Sequence, residues 1–196
     1  MARYTGPKWK ISRRENYDVY GDPSWRKRPT LPGVHPTSKG RPSNYAVQFR
    51  EKQKTKRMYG LLEKQFKKIF VEATKSKGNT GLRFLQLLEF RLDNVVYKLG
   101  LAKSINQARQ FVTHSHVTVN GGKANIPSMT LKIGDVVEYK AKFKKNPAIE
   151  AMEIENKAAK KIIPTWLENG KVAMVPTREM IDQGIREQLI VELYSR

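Results

Sequence analysis

Between Glu89 and Glu138 the chain carries local signals in an order that admits few folds. Leu85, Leu88, Leu92, Val95, Val96 and Leu99 recur at intervals of three and four, the spacing of one buried helix face, and Gly100 ends the run. Ser104-Ile105-Asn106-Gln107 is a capping box: the Ser hydroxyl accepts a first-turn amide while the Gln reaches back. It predicts a second helix through Ala108, Phe111 and Val112. Val117-Thr118-Val119 alternates as a strand, and Asn120-Gly121 tolerates the positive φ angles of a type I′ hairpin turn. Gly134-Asp135 then turns into a further strand, Val136 to Lys140. Paired helices followed by a hairpin predict a small α+β module.

Charge separates this module and all that precedes it from the tail. The 196 residues carry a formal net charge of +20, divided as +11 over 1–60, +10 over 61–146 and −1 over 147–196. Such an asymmetry is expected when the first three quarters face a polyanion and the tail faces something else. A sequence pI near 10.2 fits nucleic acid or an anionic membrane. No apolar stretch approaches the roughly 20 residues that span a bilayer, and no secretory or acylation signal is visible, so nucleic acid is the better partner. The chain has no cysteine, which excludes disulfides and thiolate metal sites and suits a cytosolic or organellar protein.

Residues 1–42 contain six prolines among basic and aromatic side chains and no apolar periodicity. They read as an extended basic arm without a core, ordered by RNA, in which Tyr4, Trp9, Tyr17, Tyr20 and Trp25 stack or plug gaps. From Asn44 to Glu72 the pattern is helical, with Tyr59, Leu62, Phe66, Ile69 and Phe70 on one face and Lys64, Lys67 and Lys68 mostly elsewhere. The expected divisions are the arm, a helical domain at 43–88 and the module with its extension at 89–176. Lys77-Gly78-Asn79-Thr80-Gly81 reads as a loop, with Thr80 capping the helix that enters the module. Further on, Pro164 to Glu168 is a Trp-containing anchor, Val172 to Val175 a short strand, and Arg178 to Glu187 a polar helix.

Catalysis requires converging ionisable groups, and the pattern offers none. Asp135 after Gly134 is a turn residue, and Asp93 a local acceptor orienting a basic neighbour rather than a general base. His114 and His116, spaced by two, lack further ligands at metal-binding spacing, so neither metal nor other cofactor is expected.

The strings Arg91-Leu92-Asp93-Asn94-Val95-Val96-Tyr97, Gln107-Ala108-Arg109-Gln110, Val119-Asn120-Gly121, Ile126-Pro127-Ser128 and Gly134-Asp135 resemble the small RNA-binding domain first named for ribosomal protein S-four. Ala2-Arg3-Tyr4, Gly6-Pro7-Lys8, Ser12 to Glu15, Arg50 to Lys54, Lys77 to Gly81, Pro164 to Glu168 and Leu189 to Ser195 extend the resemblance to that ribosomal family over nearly the whole chain. It implies a structural constituent of the small ribosomal subunit, a primary binder of its RNA that nucleates a multi-helix junction. It also implies a contribution to translational accuracy near the messenger entry path, beside other ribosomal proteins, and a C-terminal segment, 177–196, that returns to the helical domain. Many relatives hold zinc through cysteines in the arm; this chain lacks them.

The RNA-binding residues so implied are Arg3, Lys8, Lys10, Arg13 and Arg14 in the arm, and Arg50, Lys52, Lys54, Lys56, Arg57, Lys77 and Asn79 in the helical domain. In the module they are Arg91, Lys98, Lys103, Arg109 and Lys123. Ile105 stands where relatives often carry a basic residue. The rivals are an RNA-modifying enzyme, which needs a large catalytic domain beside the module, and a stand-alone rescue or heat-shock RNA binder, which lacks the arm and the 77–81 loop.

Overall fold

The computed structural model describes residues 4–36, 40–158 and 163–195. It forms two compact units, Met1–Phe84 with Gln183–Arg196, and Leu85–Asp182. Among the described residues the first unit holds α1 (Lys8–Glu15), α2 (Asn44–Met58), α3 (Glu63–Thr74) and the start of α4 (Thr80–Glu89). The second holds α5 (Leu92–Lys98), α6 (Ile105–Thr113), β1 (Val117–Val119), β2 (Gly122–Lys123) and β3 (Val137–Tyr139), then α7 (Ala141–Lys144), α8 (Pro147–Ala158), β4 (Leu167–Glu168) and β5 (Lys171–Val172). The last helix, α9 (Glu187–Tyr194), belongs to the first unit again.

In the first unit the helical pattern from Asn44 to Glu72 is two helices rather than one. Ser43 Oγ caps α2 by accepting the Ala46 amide at 3.2 Å, and Gly60, at φ 62°, closes it. Positive φ is the conformation a glycine adopts without steric cost, so the chain reverses there. Phe66 and Phe70 of α3 meet Phe84 edge-on, with ring centroids 5.0 and 5.5 Å apart, and Tyr194 of α9 lies 4.7 Å from Phe70. Helix α9 packs along α2, where Gln48 Nε2 donates to Glu192 Oε2 at 2.8 Å.

The expectation of an extended, coreless arm is corrected. Lys8–Glu15 is helical, and Ile11, Ser12, Val19 and Trp25 are buried. Apolar residues this widely spaced make no periodic stripe, but they bury once α1 lies against α2. The cap of α4 also differs by one residue: Asn79 Oδ1, not Thr80, accepts a first-turn amide, that of Leu82, at 3.2 Å.

In the second unit the stripe from Leu85 to Leu99 is broken into α4 and α5. The Phe90 carbonyl accepts the Leu131 amide at 2.9 Å and the Leu92 amide donates to the Met129 carbonyl at 2.9 Å, so residues 90–92 pair across the chain instead of continuing the helix. The apolar face survives the break. Leu92, Val95 and Val96 join Ala108 and Val112 of α6, Val117 of β1, Val137 of β3 and Trp166 in one core. Each fully buried Leu or Val contributes about 1.5–3 kcal/mol relative to exposure, which outweighs the backbone bonds exchanged at the break.

The strands order as β2-β1-β3, all antiparallel, with Thr118 opposite both Lys123 and Glu138. Asn120 and Gly121 have φ of 52° and 75°, as the I′ turn requires. The Asn120 side chain adds two hydrogen bonds, from Val136 N at 2.8 Å and to Asp135 Oδ1 at 2.9 Å. Strands β4 and β5 make a second hairpin around Asn169-Gly170, and the Gly170 carbonyl accepts the Val137 amide at 2.7 Å. A Cβ on Gly170 would come within 2.9 Å of the Val137 carbonyl oxygen, so this approach needs glycine. The polar helix expected at 178–187 is absent: Arg178–Met180 is one 3₁₀ turn, and the helix begins at Glu187, carried by Leu189, Ile190 and Leu193.

Candidate nucleic-acid interface

One carboxylate organises the paired helices of the module. Asp93, in the first turn of α5, receives Arg91 Nε at 3.1 Å and Nη2 at 2.8 Å, and Arg109 Nη1 from α6 at 2.9 Å. It also accepts the Asn94 amide at 3.0 Å. The side chains of Asp93 and Arg91 are 1% and 4% exposed, that of Arg109 17%. Arg91 is therefore corrected from an RNA contact to a buried structural residue, since a guanidinium enclosed with its carboxylate cannot reach a phosphate. Arg109 is held by Asp93 through one nitrogen, which anchors a guanidinium near the surface. Lys98 lies 3.8 Å from the buried Glu89, which also accepts Asn94 Nδ2 at 2.7 Å. The Ser104 cap forms as predicted, its Oγ accepting the Gln107 amide at 3.3 Å, whereas Gln107 Oε1 reaches one residue beyond the cap and accepts the Lys103 amide at 2.8 Å. Ile105 is buried, so an apolar residue in this first turn adds to the core.

In the first unit three acids engage five of the expected cations. Glu63 holds Lys52 at 2.7 Å and Lys56 at 2.8 Å, and accepts Tyr194 Oη at 2.9 Å. Burial alone would raise the Glu63 pKa, but these three hydrogen bonds outweigh it and draw the group down to about 2. Lys52 is buried, so it too is corrected to a structural role. Lys54 bridges Glu51 at 2.7 Å and the Gly184 carbonyl at 2.6 Å. Glu15, enclosed on α1, pairs with Arg50 and Arg57 of α2. Its pKa is raised by burial, with Arg50 and Arg57 acting in the opposite sense.

Lys8, Lys10, Arg14, Lys77 and Lys123 are exposed, as is Lys103, which pairs with Glu155. Arg13 is half-buried and donates to the Thr30 carbonyl at 2.9 Å, while Asn79 is the α4 cap. Arg3 lies outside the described residues. Four further lysines of the first unit stand beside those named: Lys64, Lys67 and Lys68 are exposed on α3 and Lys75 just past its end, where with Val71 and Glu72 they border a groove of about 490 Å³. Their signal was present, since they fall at helical spacing away from Phe66 and Phe70.

Among the described residues no group of three His, Asp or Glu could hold a metal, and no helix is long and apolar enough to cross a membrane. Each unit by itself carries exposed cations, on α1 and α3 in the first and on the sheet in the second, together with cations locked to acids, the pattern of an α+β polyanion-binding protein. Residues 3–89 match the model of the ribosomal protein S4/S9 N-terminal domain, and residues 90–137 that of the S4 domain. The chain is 47% identical to the small ribosomal subunit protein uS4 of Heliobacterium modesticaldum and 49% identical to that of Geobacter sulfurreducens, each aligned over the full length of both chains. A third relative, uS4A of Alkaliphilus metalliredigens, is 49% identical over the same full span. The chain belongs to the uS4 family of small ribosomal subunit proteins.

Proposed function

We propose that this chain is a primary binder of small-subunit ribosomal RNA that nucleates a multi-helix junction. As a member of the uS4 family it is a structural, non-enzymatic constituent of the small ribosomal subunit, with ribosomal RNA and ribosomal proteins as partners. The finer reading adds a contribution to accuracy from a position near the messenger entry path. The observation that carries the RNA-binding reading is the separation of two sets of cations. Arg91 is buried with Asp93 in the second unit, and in the first unit Lys52 is buried and held by the partly exposed Glu63, so both are taken up by the fold. Lys8, Lys10, Arg14, Lys64, Lys67, Lys68 and Lys77 of the first unit and Lys123 of the second are exposed, and each phosphate they neutralise releases counterions. Arg109, anchored by Asp93, supplies a further contact.

The test is a salt titration of affinity for a small-subunit RNA junction. The log–log slope should reach several units, each phosphate contact adding roughly 0.7 for single strands and about 0.9 for a B-form duplex. A flat titration would end the RNA-binding reading.

A further inference from the structure

The outer face of the three-stranded sheet and helix α7 border a groove of about 520 Å³ that includes His114, His116, Lys123, Lys140, Lys142 and Phe143. Strand register explains the assembly. Val117 pairs with Tyr139, so His116 falls opposite Lys140, whose amide donates to the His116 carbonyl at 2.8 Å. Alternation places His116 and Thr118 on the face away from the buried Val117 and Val119. The His116 ring lies flat on Phe143, with centroids 3.9 Å apart and planes 5° from parallel. Phe143 is wedged in turn against Phe111 and Tyr139, with centroids 5.1 and 5.7 Å away. The stack is therefore a fixed platform.

Charge around the platform is one-sided. Lys123, Lys140 and Lys142 are exposed, and no carboxylate among the described residues pairs with them. The acid nearest in register is Glu138, exposed on β3 two residues before Lys140 on the same face, and separated from Lys123 by Thr118. His116 is held below the usual imidazole pKa by burial, then by His114, whose ring centroid is 5.8 Å away, and by Lys140. Cations that face one another without a counter-charge repel, and an anion between them relieves that repulsion.

We propose that this groove is a binding subsite for a phosphodiester segment of unpaired RNA, with the lysines on its phosphates and a base against the His116–Phe143 stack. The proposal rests on the RNA-binding reading above and deepens it, setting Lys123, already among the expected contacts, beside His116, Lys140, Lys142 and Phe143, which are not. An inorganic anion would use the lysines alone. Unpaired RNA uses both halves of the site, because it presents a charged backbone beside a flat π-face.

The experiment follows the ring protons of His114 and His116 by NMR in the full chain across pH 5 to 8. An oligouridylate and inorganic phosphate serve as separate probes, and Lys140→Glu and Lys142→Glu as variants of exposed positions. The oligonucleotide should raise the titration midpoint of His116 more than phosphate does at equal charge. Its affinity should fall at least about tenfold in each variant, the scale of one lost charge-assisted contact. Unchanged thermal midpoints in the variants exclude unfolding as the cause. Equal shifts with phosphate and oligonucleotide, or unaltered affinity in both variants, overturn the subsite. Binding of the junction RNA is measured in parallel: if the native chain fails to bind it, the broader reading falls, whereas junction binding without a response at His116 overturns this groove alone.

Discussion

Asp93 and Arg109, sixteen residues apart on two different helices, are joined at 2.9 Å, and the same carboxylate oxygen also receives Arg91 at 2.8 Å. One buried acid thus serves two arginines of unequal exposure. Arg91 is inside and Arg109 reaches the boundary, so neighbouring charges in one network have separable roles in stability and recognition.

That separation is measurable. Arg91→Ala should destabilise the module by about 3 kcal/mol, the scale for breaking a buried pair, with RNA affinity of the folded protein unchanged. Arg109→Ala should lower RNA affinity by about 1.5–3 kcal/mol with a smaller loss of stability. Denaturant unfolding and RNA binding on both variants decide it, and an Arg91→Ala protein of native stability would refute the buried-network account.

Acid titration should show two opposed carboxylates in the first unit. The folded pKa of Glu63 is about 2, below its usual 4.5, so its contribution is present above about pH 4.5 and is lost as pH falls toward 2. Glu15 is shifted upward, so the native state binds its proton more readily than the unfolded chain and stability rises as pH falls through its folded pKa. Glu63→Gln should flatten the acid-side loss of stability, and Glu15→Gln should steepen it. Identical pH profiles for the two variants would contradict these assignments.

The β1–β2 turn is tested by replacing Asn120, at φ 52°, with two residues. Asn120→Gly keeps the backbone conformation and loses the hydrogen bonds with Val136 and Asp135, costing about 1–2 kcal/mol. Asn120→Val adds a β-branched side chain at positive φ, and should cost about 1–2 kcal/mol more. Equal thermal midpoints for the two variants would show that φ is not the constraint.

Deleting residues 1–42 should lower the stability of the first unit. It strips the Glu15 partner from Arg50 and Arg57 and removes the buried Ile11, Val19 and Trp25. Calorimetry of the truncated chain should give a lower midpoint with cooperativity retained through the Phe66, Phe70 and Phe84 cluster. A midpoint equal to that of the full chain would restore the coreless arm.

What the sequence determined by itself is whatever depends on neighbours a few residues apart. The Ser104 cap, the stop at Gly100 and the Asn120-Gly121 turn are such features, and Asn169-Gly170 carried the same turn signal unread. Each is satisfied by local backbone geometry, so residue type suffices. The tertiary structure decided the break at 90–92, because the competing hydrogen bonds come from Met129 and Leu131. It likewise decided which cations are available. Arg50 and Arg57 depend on Glu15, 35 and 42 residues earlier, Tyr194 reaches Glu63 from 131 residues away, and Arg91 depends on the core that closes over Asp93. A basic residue looks alike in sequence whether it will meet solvent or a buried acid, because that choice is made by long-range packing, where the desolvation of a charge is offset only by a partner brought there by the fold.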